Sequence, residues 1–159
     1  MSMLAKLSAL FRGTAHEAGQ SLVDANALKI LDQEIRDADT AQGKARDDLA
    51  GLVARRRMAE NEMQSFGDQI AKYESSARSA LSQGKTDLAR EVAVRIAELE
   101  TEIGTRGPLI EGMKQAEARL RQAIAATDQK IETLKREVDI VKVNDSVQRA
   151  QTSVALQSQ

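Results

Sequence analysis

The chain has no cysteine, no tryptophan and a single proline, Pro108, and aromatic residues make up 2% of its 159 positions. The absence of cysteine excludes disulfides, a thiol nucleophile and any cysteine-ligated metal site, and it fits a reducing compartment. The scarcity of aromatic side chains makes a rounded hydrophobic core difficult to build, because such side chains usually supply much of the buried area. These absences argue against an ordinary compact globule.

An excess of charge of one sign is also missing, since 23 Lys and Arg residues face 24 Asp and Glu residues. A nucleic-acid-binding domain normally carries a clear basic excess, so nucleic acid is not a predicted partner. The one histidine, His16, has no second histidine or cysteine to complete a metal site or a catalytic triad. The Gly-Lys-Thr at 84–86 lacks the first glycine of a phosphate-binding loop. We therefore predict no enzymatic activity, no catalytic residues, no metal and no cofactor.

Long hydrophobic runs are the last absence. No stretch approaches the roughly 18 uncharged apolar residues that a membrane-spanning helix needs. The N-terminus has spaced rather than continuous apolar residues, and Arg12 interrupts them, which is not typical of a secretory signal. The expected location is the cytoplasm.

The residues that are abundant, Ala, Leu, Glu, Lys, Arg and Gln, are typical of long helices and coiled coils. In the first half of the chain, apolar residues recur in alternating steps of three and four, interrupted only by Gln42 and Arg56. This seam comprises Leu28, Leu31, Ile35, Ala38, Gln42, Ala45, Leu49, Leu52, Arg56, Ala59, Met63, Phe66, Ile70, Tyr73, Ala77 and Ala80. Such a pattern predicts one long helix that packs against a partner helix.

The seam stops at a predicted turn, "LSQGKTDLAR", near residues 82–87. Gly84 suits the left-handed residue that ends a helix, and Thr86 or Asp87 offers a side-chain oxygen to cap the next helix. Apolar spacing resumes from Leu88 with a one-residue slip near Ile96. It continues through Val92, Leu99, Ile103, Ile110, Met113, Leu120, Ile124, Ile131, Leu134, Val138 and Val141.

Within this second arm, "GTRGP" at 104–108 predicts a kink or local break, because glycine and proline are poor helix formers. The predicted fold is all-α, a long antiparallel helical hairpin preceded by a short amphipathic helix. The predicted regions are an amphipathic segment at 1–22, the hairpin at 23–145, and the start of a further helix or a flexible tail at 146–159.

The N-terminal segment "MSMLAKLSALFRG" is amphipathic, with its apolar side chains on one side of a helical wheel and its basic ones off that side. Three interpretations are open: a transit peptide, a helix that packs on its own hairpin, and a helix that lies on a membrane surface. A spaced apolar face with basic flanks favours the third. The candidate membrane-binding residues are Leu4, Lys6, Leu7, Leu10, Phe11 and Arg12.

The surface of the predicted hairpin suggests self-association. Ile30, Val53, Val94 and Val143 flank the seam and remain uncovered by a single hairpin, and a surface repeated along its length favours open assembly or large rings. Arg56 lies on the seam, where a charge is costly unless it is paired. Candidate partners for Arg56, either across the same hairpin or between hairpins, are Glu98, Glu100 and Glu102.

The amphipathic start, "NALKILDQEIRDADTAQGKAR" and the hairpin tip "ALSQGKTDLAREVA" together resemble the phage shock protein A family, which includes the plastid vesicle-inducing protein. The resemblance implies a bacterial relative of ESCRT-III proteins that forms rods, rings or filaments. It also implies binding to anionic membrane lipids on the inner face of the cell membrane, and remodelling or protection of the bilayer under stress.

The same resemblance implies an alternative role, in which the hairpin sequesters a protein partner such as an AAA+ transcriptional activator. Arg46 is similar in position to a basic residue that the family uses in contacts between subunits, and Arg56 is the second candidate for such a contact. The chain departs from the family pattern at "GTRGP", and at 24–27, where the family usually has a proline.

Overall fold

The structure, a computed structural model, describes residues 25–158. Two helices account for almost all of this range: α1 spans Ala25–Ser82 and α2 spans Thr86–Gln157. They pack against each other as a helical hairpin, and residues 25–158 contain no strand. The predicted all-α hairpin is confirmed, whereas the amphipathic segment predicted at 1–22 lies outside the described residues.

The turn between the helices is built around Gly84, which has the positive φ (76°) predicted for it. The Lys85 N–H donates to the Ala80 carbonyl at 2.8 Å, and the Gly84 N–H donates to the Leu81 carbonyl at 3.1 Å. These two bonds form a Schellman motif, which closes the end of α1 and needs a left-handed residue that glycine adopts without strain.

The start of α2 differs from the prediction that Thr86 or Asp87 caps it. Thr86 is already the first helical residue, so Lys85 occupies the position before the helix. Its carbonyl accepts the Ala89 N–H at 3.2 Å. Asp87 instead lies in the first turn of α2, where its negative charge interacts favourably with the positive end of the helix dipole.

The seam predicted along α1 is confirmed by burial. Every predicted seam position, including the polar Gln42 and Arg56, is buried or half-buried. A strict three-four spacing keeps one stripe of the helix facing its partner over many turns, which explains this agreement.

The seam predicted along α2 needs one correction at its start. Leu88 is 47% exposed, whereas the neighbouring Ala89 is 7% exposed. With Ala89 as the first seam position, the three-four spacing is regular and the predicted slip near Ile96 disappears. The sequence favoured Leu88 because it is the more apolar residue, but next to a tight turn the small alanine fits the space between the helices.

Helix α2 continues without a break through "GTRGP", and Pro108 lies inside it. The predicted interruption is therefore not a break in helical structure, although Pro108 has no N–H to donate to the carbonyl of residue 104. The helix also continues past residue 145 to Gln157. The boundary placed at 145 from the sequence thus does not coincide with a helix end.

The described part of the chain divides into two compact units, which we call the terminal unit (residues 25–46 and 122–158) and the turn unit (residues 47–121). In the terminal unit, a cluster of buried side chains from both helices forms the core, with Leu28 and Ala38 packed against it. Its members are Leu31, Ile35, Ile131, Leu134 and Val138. In the turn unit, the buried apolar residues are Ala80, Ala89, Leu99 and Ile110.

Candidate interaction surfaces

Arg56 lies on the seam of the turn unit and is held by carboxylates on both helices. Its Nε donates to Glu117 Oε2 at 2.5 Å, and its Nη1 donates to Glu60 Oε2 at 3.0 Å. Glu117, itself a buried seam residue, also accepts a hydrogen bond from Arg121 at 3.1 Å. The hydrogen bond to Glu117 raises the pKa of Arg56, and the bonds from Arg56 and Arg121 lower the pKa of Glu117.

This network corrects the partners expected for Arg56 across its own hairpin. Glu98, Glu100 and Glu102 follow too soon after the turn, because antiparallel helices bring together residues about equally distant from it. Glu117 meets that condition, and the sequence signal for it was its place in the three-four spacing between Met113 and Leu120. Arg56 is therefore satisfied within its own turn unit.

Arg46 lies at the edge of the terminal unit, where its Nη2 donates to both carboxylate oxygens of Asp128 at 2.7 Å. Gln42 donates to Asp128 Oδ1 and to the Ile124 carbonyl, each at 2.9 Å. The hydrogen bonds from Gln42 and then Arg46 lower the pKa of Asp128. The Arg46 side chain stays 53% exposed and is therefore accessible to a second subunit. A contact between subunits through Arg46 is a proposal.

Arg106 forms a second polar contact in the turn unit, one that was not predicted from the sequence. Its Nη1 contacts Glu62 Oε2 at 2.6 Å, its Nε contacts Glu102 Oε2 at 3.1 Å, and its guanidinium carbon lies 5.0 Å from the centre of the Phe66 ring. These carboxylates raise the pKa of Arg106, with Glu102 as the main cause. Its seam spacing between Ile103 and Ile110 was the available signal, but the "GTRGP" composition obscured it.

The C-terminal part of α2 has a second apolar face, which we call the α2 stripe. Its large residues have exposed fractions from 50% to 66%. The stripe comprises Ile140, Val143, Val147 and Val154, with the small Ala150 between the last two. Of the flanking residues expected to remain uncovered, Ile30, Val94 and Val143 are exposed, whereas Val53 is half-buried.

The hairpin tip is exposed at all of its predicted residues, Gly84, Thr86 and Asp87. Two large apolar side chains flank it, Leu81 and Leu88, and both are exposed as well. The tip therefore presents a small apolar surface beside polar turn residues.

Within residues 25–158 no group of three His, Cys, Asp or Glu residues could hold a metal ion. No helix in that range is long and apolar enough to span a bilayer. The candidate membrane-binding residues lie outside the described part of the chain: Leu4, Lys6, Leu7, Leu10, Phe11 and Arg12.

Comparison with known proteins identifies a family and several relatives. The model of the PspA/IM30 family matches residues 2–159. "Uncharacterized protein YjfJ" of Escherichia coli (strain K12) is 28% identical over 155 residues, which are 97% of this chain and 67% of YjfJ. A "Phage shock protein A homolog" of Deinococcus radiodurans is 36% identical over 95 residues, which are 60% of this chain and 42% of that protein.

Proposed function

The chain belongs to the PspA/IM30 family, and from this premise we propose that it is a self-assembling, membrane-associated coiled-coil protein that remodels or protects the bilayer under stress. Family membership over nearly the whole chain is the observation that carries the proposal, since it supports a membrane-stress role of the phage shock protein A kind. The proposed location is the inner face of the cell membrane, on the cytoplasmic side.

The chemistry of the N-terminal segment supports the membrane part of this proposal. Leu4, Leu7, Leu10 and Phe11 would enter the interface, while Lys6 and Arg12 would face anionic headgroups. Full burial of one such apolar side chain contributes about 1.5–3 kcal/mol before ordering costs, so a single segment is a weak anchor. Many copies in one assembly would multiply that weak affinity, which links membrane binding to self-assembly.

The exposed apolar residues of the hairpin support the assembly part. Copies of the chain that associate laterally through such surfaces form rings when the contact geometry closes, and rods or filaments when it does not. Arg46 and Asp128, both partly exposed, are candidates to exchange their intramolecular pairing for one between subunits.

Co-sedimentation with anionic vesicles tests the membrane role. We expect Leu7→Glu or Phe11→Glu to abolish binding, because each places a charge on the face that enters the interface. Ala9→Glu is the matched control, since it adds the same charge to the opposite side of the segment and should retain most of the binding. Circular dichroism should show unchanged helix content in all three variants.

Equal co-sedimentation of the three variants and the unmodified protein would contradict the membrane role. Electron microscopy of the purified chain with and without the same vesicles tests assembly independently. Ordered rods, rings or filaments are expected, and particles no larger than single hairpins under both conditions would contradict that part of the proposal.

A second candidate function, sequestration of a protein partner such as an AAA+ activator, is favoured by the exposed Leu81 and Leu88 at the tip. In that role, deletion of residues 1–22 would leave partner binding intact, and Leu81→Asp with Leu88→Asp would abolish it. The opposite pattern, with loss of binding only on deletion of residues 1–22, would contradict this candidate.

A further inference from the structure

The α2 stripe lies on the side of α2 that faces away from the seam. The seam residues of this stretch are covered: Val138 is buried and Val141 is half-buried. In the stripe, Val143 is 61% exposed and Val147 is 50% exposed. Helical geometry places residues five or six positions apart on roughly opposite sides of a helix, which explains why α1 covers one set and not the other. Four large apolar residues therefore share one uncovered face.

Apolar residues that share one exposed face form a candidate surface for binding a partner. We propose that residues 1–12 of the same chain dock on the α2 stripe when no membrane is present, so that the hairpin holds its own membrane-binding segment in reserve. This inference rests on the proposed membrane role of that segment and adds its regulation.

The point at which the N-terminal segment joins the hairpin supports this occupant. Helix α1 begins at Ala25, and near its start Asp32 accepts a hydrogen bond from the Lys142 ammonium at 2.9 Å. Lys142 lies between Ile140 and Val143 in sequence, so the first turns of α1 lie beside the level of α2 that carries the stripe. The residue to which the N-terminal segment is attached, Ala25, therefore lies near the level of the stripe, on the other side of α2.

The lengths also agree. A helix of residues 1–12 would be about 18 Å long at about 1.5 Å per residue, and the stripe from Ile140 to Val154 extends about 21 Å on the same scale. Residues 13–24 could span up to about 40 Å when extended, at roughly 3.3 Å per residue. Because a helix with its side chains is only about 10–12 Å wide, this linker is long enough to pass around α2.

The apolar spacing of the two segments is the same. Leu4, Leu7 and Phe11 follow the steps i, i+3 and i+7, and so do Ile140, Val143 and Val147. Two helices whose apolar residues repeat in this way can interlock their side chains along a common stripe. A membrane and the stripe would then compete for one apolar face of the N-terminal segment.

A disulfide trap tests the docking directly, and the chain has no cysteine of its own to interfere. The full-length double variant Leu7→Cys with Val147→Cys is oxidised at high dilution without lipid, and the product is identified by mass spectrometry. Leu7→Cys with Gln148→Cys is the matched control, because Gln148 is exposed at the same level of α2 but on another face. We expect intramolecular disulfide in the first variant at least about tenfold faster than in the control.

Equal rates in the two double variants would overturn the proposal. Disulfide-linked dimers in place of the intramolecular product would also overturn it, because they would assign the stripe to a second copy of the chain.

Vesicle binding then tests the regulatory consequence. Docking that occupies nine molecules in ten lowers apparent membrane affinity about tenfold. We expect Val147→Asp to raise affinity for anionic vesicles by about that factor, whereas the control Gln148→Asp should not. Unchanged or weaker binding by Val147→Asp would overturn the inference. If the unmodified protein and both variants fail to bind vesicles, the proposed membrane role fails, and the disulfide trap alone decides the docking.

Discussion

The terminal unit and the turn unit belong to the same hairpin fold but differ in the residues at their seam positions. The terminal unit buries a cluster of leucine, isoleucine and valine from both helices. The turn unit places Arg56, Arg106 and Glu117 at seam positions and satisfies them with ion pairs and one aromatic ring. The comparison shows that an unbroken heptad geometry can be maintained by apolar packing in one region and by paired charges in another.

This difference has a physical consequence for specificity. Apolar contacts are non-directional, so in the terminal unit directional contacts such as those from Gln42 to the Ile124 carbonyl and from Arg46 to Asp128 fix the helix register beside the cluster. A bidentate contact between guanidinium and carboxylate has fixed geometry and fixes the register. In the turn unit, the contact between Arg56 and Glu117 therefore specifies from within the seam which residues of α1 and α2 face each other.

The largest effect is expected from a cavity in the terminal unit. Leu134 is 2% exposed within the apolar cluster. We expect Leu134→Ala to lower the free energy of unfolding by about 2–5 kcal/mol, through lost burial and an unfilled cavity. Chemical denaturation measures the change, and Leu156→Ala, at an exposed position of α2, is the control and should cost less than about 0.5 kcal/mol. Equal effects of the two variants would contradict the assigned core.

The next effect is a gain of stability in the turn unit. Pro108 cannot donate a backbone hydrogen bond inside α2, and proline costs about 3 kcal/mol relative to alanine in a helix interior. We expect Pro108→Ala to raise the free energy of unfolding by up to about that amount. Hydrogen exchange should show stronger amide protection around residue 108, whose new N–H can donate to the carbonyl of residue 104. Leu109→Ala, on the exposed side of the same turn, is the control, and an unchanged protection pattern in Pro108→Ala would contradict this prediction.

A smaller effect is expected at the polar seam. Either Arg56→Leu or Glu117→Leu alone leaves a charged partner in a partly buried position, whereas the double variant replaces both charges with apolar side chains. Removing one member of such a pair is generally more destabilising than replacing both. Thermal unfolding of the four proteins in a double-mutant cycle measures the coupling. Additive effects of the two substitutions would show that the pair does not specify packing in the turn unit.

The smallest effect concerns acid pH. Hydrogen bonds lower the pKa of Glu117 below its usual value of 4.5 and that of Asp128 below 3.8. The unfolded chain therefore takes up protons first, so this stability is present above those usual values and is lost as pH falls through the lower folded-state values. The double variant Glu117→Gln with Asp128→Asn should unfold with a weaker pH dependence below about 4.5 than the unmodified protein. Glu100→Gln, at an exposed position, is the control and should keep the pH dependence of the unmodified protein. The same unchanged pH dependence in the double variant would contradict the assignment.

The residues that the sequence predicted best are those on a regular spacing. The α1 seam from Leu28 to Ala80, the left-handed Gly84 and most of the α2 seam follow from local patterns, because a helix maps spacing directly onto a face. The errors occurred where the local composition concealed the residue at a seam position. Leu88 was preferred over Ala89 on hydrophobicity, and Arg106 was overlooked among glycines and a proline.

By itself the sequence determined that the chain forms two long helices joined at Gly84, and which stripe of each helix is apolar, because propensity and periodicity are local properties. Only the tertiary structure decided which residues meet across the hairpin. Arg56 contacts Glu117 and not Glu98, Glu100 or Glu102, and Val143 and Val147 stay uncovered while Val138 and Val141 are buried or half-buried. The physical reason is that register depends on the closure of the turn and the fit of the two helices, which no single stretch of sequence contains.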